Sequence, residues 1–158
     1  MTALNSPLVQ RAAQLWSRLT ALLESLQPLA ALAARIYVGQ VFFMSGLTKI
    51  RSWETTVALF ADEYKVPLLP PELAALMGTA GELVLPVLLV LGLGGRFAAL
   101  GLFVVNAVAV ISLSEIAPAA LQGHIFWGSL LAGLAIYGPG PWSLERFVWP
   151  RIAHSQPA

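Results

Sequence analysis

The chain contains no cysteine. That excludes disulfides, thiolate metal sites, iron–sulfur clusters and thiol redox chemistry on this polypeptide. Its two histidines, His124 and His154, are too few and too peripheral for a bis-histidine haem within a helical bundle. Charge is scarce as well: only 11% of the 158 residues are charged, against about 25% in a soluble domain. Such a chain cannot solvate its own surface in water, whereas in a bilayer its outer face meets lipid. A net charge of +1 supplies no basic surface for nucleic acid. What is abundant is apolar: 58% of residues are hydrophobic and the mean hydropathy is +0.76. The length fits one domain.

The apolar residues fall into helical patterns. Over 8–27 they recur at Leu8, Ala12, Leu15, Trp16, Leu19, Leu22, Leu23 and Leu26, leaving Arg11, Gln14, Arg18 and Ser25 to the other side. This predicts an amphipathic helix suited to the membrane interface, ended or bent by Pro28. Arg18, Glu24, Gln27 and Pro28 interrupt the segment before Ala31-Leu32-Ala33, so it is no cleavable signal peptide. Four long apolar stretches follow, at 29–48, 73–92, 97–115 and 123–138. Each approaches the ~20 residues that cross ~30 Å of hydrocarbon, and in lipid such segments must be helices. Pro86 is expected to kink the second.

The connection 49–72 places Trp53, Val57, Phe60 and Tyr64 on one helical face, predicting a short interfacial helix with its aromatics at headgroup level. Pro71-Glu72 suits the start of the next helix. Gly92, Gly94 and Gly95 predict a tight turn, and Gly138-Pro139-Gly140-Pro141 a stop. Beyond it Ser143 is expected to cap a short helix carrying Glu145, Arg146 and Trp149, with a disordered tail after Pro150. The fold class expected is therefore all-α: an integral membrane four-helix bundle with an N-terminal interfacial helix. Arg11, Arg18, Arg96, Arg146 and Arg151 fall on one side, and Lys49, Arg51 and Lys65 on the other. By the positive-inside rule both termini are expected in the cytoplasm.

Ionisable groups inside a membrane are costly and usually face the bundle. Arg35, Gly39, Phe42, Gly46 and Lys49 share one stripe of the first span; Ala75, Gly78, Glu82, Pro86 and Leu89 share one of the second. At 1.5 Å per residue, Gln40, Glu82 and Asn106 come to a common height of about 14–16 Å, with Arg35 about 9 Å in. These four form a candidate midplane polar layer. A direct Arg35–Glu82 bond is disfavoured, because side chains lean toward their own helix N-terminus and antiparallel partners here lean apart. Glu82 is expected to be neutral by desolvation and bonded to Gln40 or Asn106. The layer reads first as glue between helices, and alternatively as a proton, quinone or small-solute site. A second candidate cluster, Lys49, Glu72, Glu115 and His124, falls at the outer helix ends, either as a ligand site or as solvated interfacial charges. Gly128, Ala132 and Ile136, with Ser129 and Gly133 beside them, read as helix packing.

The run ARIYVGQVFFMSGLTKI resembles the opening signature of the DoxX family, MGTAGELVLPVLLVLGLGGRFAALGLF its second and third helices, and YGPGPWSLERF its closing segment. The resemblance spans about residues 30–147 and carries Arg35, Gly39, Gly46, Lys49, Glu82 and Arg96 as motif positions, with no catalytic role attached. It implies a domain at 29–150, preceded by the helix of 1–28 and followed by a tail at 151–158. It also implies a bacterial inner-membrane protein, in a family that includes thiosulfate:quinone oxidoreduction subunits and proteins linked to oxidative or metal stress. Three functions compete. One is a redox or stress-linked accessory that binds quinone or anchors a partner; the second is a proton or small-solute pathway, and the third a non-catalytic scaffold. No covalent cofactor, haem, iron–sulfur cluster or metal is expected, so a bound quinone would have to carry any electrons. The chain is then expected to be no enzyme by itself, though it is a candidate subunit of a quinone-linked oxidoreductase. Expected partners are the lipid bilayer, a membrane or periplasmic protein, or further copies of the chain.

Overall fold

The structure, a computed structural model, describes residues 7–148. Five helices follow in order: α1 (Pro7–Arg51), α2 (Trp53–Asp62), α3 (Pro71–Leu91), α4 (Gly95–Ser112) and α5 (Pro118–Tyr137). Four of them, α1, α3, α4 and α5, are long and apolar enough to cross a membrane. The chain is an all-α membrane bundle of four spans. α1 packs on α3, α3 on α4, α4 on α5 and α5 back on α1, while the short α2 lies against α3 and α1.

The core is small because most large side chains face outward, where lipid rather than water meets them: Phe97, Leu100, Val104, Ile111 and Ile125 are all exposed. Val38, Phe42, Leu89, Ala98, Ala99, Leu102, Leu131 and Leu134 fill the centre. Without a hydrophobic driving force in lipid, helices associate by close packing on small residues. Gly46 does this on α1, where a Cβ would stand 2.8 Å from Leu83 Cδ2 and 3.1 Å from Glu82 Cβ. Gly39 takes Val90 and Pro86 in the same way. The two motif glycines thus bring α1 and α3 together along the stripe expected from sequence.

Several boundaries differ from expectation. Pro28 does not end the first helix; α1 runs through it for 45 residues. Proline removes one backbone donor, and a helix whose flanking turns are strong formers absorbs that loss. Pro86 is likewise internal to α3 and buried. α5 begins at Pro118, well before 123, because proline suits the first helical turn even where Gln122 and His124 dilute the apolar pattern. α4 stops at Ser112, since the chain at 113–117 turns extended to reach Pro118. On α2, Phe60 is buried against Ala74 and Ala75 with Val57 and Tyr64 packed beside it, so only Trp53 of the four stays exposed. Phe60 and Tyr64 thus clamp α2 to α3. Trp149, Arg151, His154 and the tail at 151–158 lie outside the described residues.

At the opposite end, residues 142–148 close the bundle. Leu144 N donates to Leu91 O and Glu145 N to Gly92 O, each at 3.0 Å. Ser143, expected as a cap, is buried against the α-carbon of Gly92. The Glu145 carboxylate accepts from Gly95 N at 3.0 Å, placing an anion at the positive end of α4.

Candidate functional site

Each candidate side chain occupies its place for a local reason, and the resulting groups are not those drawn from sequence. Lys49 and Glu82, assigned to different clusters, form an ion pair: Lys49 Nζ donates to Glu82 Oε2 at 2.6 Å. Lys49 also donates to Ser45 Oγ at 2.8 Å, and Ser45 donates to Glu82 Oε1 at 3.2 Å. The result is a closed triangle of ammonium, hydroxyl and carboxylate. The lean of helical side chains produces it. Glu82 lies level with Gly46 on the neighbouring helix, and Lys49 is one turn further along α1. Lysine leans back into the bundle, and the glutamate, on an antiparallel helix, leans toward it. The rule that separates Arg35 from Glu82 therefore joins Lys49 to Glu82. The expectation of an isolated carboxyl bonded to Gln40 or Asn106 is corrected accordingly. Thr56, buried on α2, donates to Lys49 O at 2.8 Å and ties the end of α1 in place.

Asn106 and His124 form a second unit. Asn106 Nδ2 donates to His124 O at 2.9 Å, and its Oδ1 lies 2.8 Å from His124 Nδ1. With the amide nitrogen committed as donor, Oδ1 accepts, so Nδ1 carries the proton and Nε2 keeps a lone pair. Gly128 makes room, since its Cβ position is 3.1 Å from Asn106 Nδ2. Gln40 stands apart, exposed on the outward face of α1, and Glu72 and Glu115 are exposed as well. Arg35 is fully buried at the other end of the bundle. There it donates to Trp142 O and lies against Gly92 at the C-terminus of α3, where a cation complements the helix dipole. Arg96 lies similarly beside Gly138, at the end of α5. Neither arginine shares the ion pair's surroundings.

The ion pair borders a cavity of about 590 Å3. All five helices contribute: Ser45 and Lys49, Phe60, Gly78 and Glu82, Val105 and Val108, His124 and Trp127, with Tyr64 from the connection. The connection is held over it by Lys65 N donating to Ser112 O at 2.9 Å. Burial, then the carboxylates of Glu82 and Glu63, push the Tyr64 hydroxyl above its ordinary range, so it is a protonated donor at neutral pH. The cavity therefore offers a cation, a carboxylate, a phenol and an imidazole on otherwise apolar walls. This is the usual composition of a small-molecule site, whose volume typically runs about 300–1,000 Å3. Ser45 does not stand out in the sequence as a site residue, although its i−4 relation to Lys49 puts both on one face. Tyr64 reads in the sequence only as an aromatic of the interfacial face.

Tyr64 also permits a pH test. A group whose pKa is raised by folding stabilises the native state below its unfolded value, and that contribution is lost as pH rises through the folded one. Alkaline unfolding in detergent should thus begin at higher pH in Tyr64→Phe than in the parent. Superimposable alkaline limbs would show that Tyr64 is not buried beside the carboxylates.

These features define a small four-span membrane protein in which a lysine–glutamate pair borders a mostly apolar cavity. The chain belongs to the DoxX family, whose family model, described as DoxX, matches residues 30–115. The match takes in Arg35, Lys49, Glu82 and Arg96 but stops before α5, leaving His124 outside it. No curated protein and no solved structure matches the chain significantly.

Proposed function

We propose that the protein is a redox- or stress-linked accessory of the bacterial inner membrane, with both termini cytoplasmic, that binds a quinone in the α1–α5 cavity. The single observation behind this reading is the Lys49–Glu82–Ser45 triangle on the wall of a mostly apolar space of about 590 Å3. A quinone has an apolar ring and tail with carbonyl acceptors. Lys49 and Tyr64 can donate to such carbonyls, while the His124 Nε2 lone pair and Glu82 can accept from the hydroxyls of the reduced form. When bound, the quinone would supply the two-electron chemistry that a chain without thiols lacks. The protein's own part is to bind, orient and exclude water, as an electron-carrying partner's subunit and not as an enzyme by itself.

Lipid extraction of the purified protein tests this. Quinone should co-purify in near-stoichiometric amount. Gly78→Leu, whose Cβ would lie 3.4 Å from Phe60 Cζ, should largely remove it by filling the cavity, and an unchanged thermal midpoint would show that the fold survives. Equal quinone in both proteins, or none in either, contradicts the reading. The proton-pathway alternative loses support from the geometry, because Gln40 faces away from Glu82 and Asn106 is committed to His124.

A further inference from the structure

The outward face of α1 carries a pattern that the four-helix bundle does not use. Leu8, Leu15, Leu22, Leu29 and Ile36 recur every seven residues. Leu19, Leu26, Ala33 and Gln40 recur every seven between them, offset by four. This is the a/d repeat of a helix that packs on another helix. The face it draws lies opposite the buried stripe of Arg35, Val38, Gly39, Phe42 and Gly46, and every residue in it is exposed. Lipid contact alone imposes no seven-residue period.

Two further observations choose the occupant. First, a 45-residue helix is about 67 Å long at 1.5 Å per residue, more than twice the ~30 Å of hydrocarbon. The leucines from 8 to 26 therefore extend beyond what lipid tails can cover along a continuous α1. Second, Gln40 lies on the same seam inside the span, in a shallow groove with Ile36, Phe43 and Val87. An amide facing lipid is unfavourable without a partner, and an amide both donates and accepts, so it is complementary to its own copy across a two-fold axis. One polar residue at an a position is the device that fixes register and strand number in coiled coils.

We propose that two copies of the chain pair through α1, parallel and in register, along the Leu8–Gln40 seam with the Gln40 amides bonded to each other. Membrane topology makes parallel packing the natural arrangement, because both copies insert the same way. Charge agrees with it: Arg11 flanks the seam opposite the partner's Trp16 position, a cation–π pairing, and no like charges face each other. The eight apolar seam side chains and Gln40, offering on the order of 80 Å2 each, approach the ~800 Å2 per partner of a stable interface. Pro28 falls off the seam, and the inference is independent of any ligand in the cavity.

The absence of native cysteine makes single-cysteine cross-linking in native membranes the direct test. Same-residue disulfides require closely approaching α-carbons, so Leu19→Cys and Leu26→Cys should give covalent dimers. Exposed off-seam controls, Ala13→Cys and Ala21→Cys, should cross-link several-fold less. Gln40→Leu should weaken the dimer in detergent, read as a lower mass by light scattering, without changing the thermal midpoint of the monomer. Equal yields on and off the seam would overturn the pairing. So would contact between lipid headgroups and residues 8–27 along their whole apolar face, which would mean that the membrane surface covers the seam instead.

Discussion

Lys49→Met is expected to destabilise the bundle by about 3 kcal/mol, the lower end of the cost of removing one partner from a buried ion pair. The lower end applies because the two side chains retain 15% and 10% exposure, which leaves some solvent screening. The loss comes chiefly from what remains: a carboxylate facing Ser45 alone, without its counter-charge, beside an apolar cavity. Removing both charges together should cost far less. Lys49→Met combined with Glu82→Leu takes away the desolvation penalty along with the attraction, so the double variant should lie within about 1 kcal/mol of the parent. Unfolding in a detergent titration would give the coupling directly as the non-additivity of the two changes. Additive single effects would mean that the two side chains do not meet.

The second large effect is expected at Gly92. Its φ of +66° lies in the left-handed region, where a side chain costs about 1–2 kcal/mol. An added Cβ would also stand 2.5 Å from Ser143 Cβ and 2.9 Å from its Cα, and would strike the Arg35 guanidinium. Gly92→Ala must therefore push away the closing segment, with its bonds from Leu144 and Glu145, or displace a fully buried arginine. A loss of about 3 kcal/mol or more follows from strain and overpacking together. Gly94 is the internal control. It has φ +55°, but its nearest neighbour, Phe97 Cβ, is 4.0 Å away, so Gly94→Ala should cost only about 1 kcal/mol of backbone strain. Equal losses at the two positions would show that contact with Ser143 and Arg35 contributes nothing.

Much of this architecture was legible in the sequence because the bilayer leaves few choices. Four apolar stretches of sufficient length must be helices, and Gly39 and Gly46 on α1 with Glu82 and Pro86 on α3 mark the faces that meet. Helix ends were less legible. Pro28 carries the same local signal whether it breaks a helix or rides within one, and Pro118 opened a helix whose first turns look polar. At the site, both residues of the ion pair stand out in the sequence, yet backbone height alone puts Lys49 and Glu82 in different layers. A lysine stem and a helical lean carry the charge about a turn away from its α-carbon. Gln40 shows the opposite error. It shares the height of Glu82 but not its face, since position along a helix fixes height and the 100° step per residue fixes direction.

The proposed quinone site is a cavity whose polar wall is the Lys49–Glu82 pair. Its most direct test is calorimetric titration of the purified protein with a short-tailed, water-soluble quinone analogue, alongside the Lys49→Met/Glu82→Leu double variant, which keeps the fold while removing both charges. Saturable one-site binding to the parent, weakened at least about tenfold in the double variant (~1.4 kcal/mol), is the expected result. Equal affinity for both proteins, or no saturable binding to the parent, would contradict it.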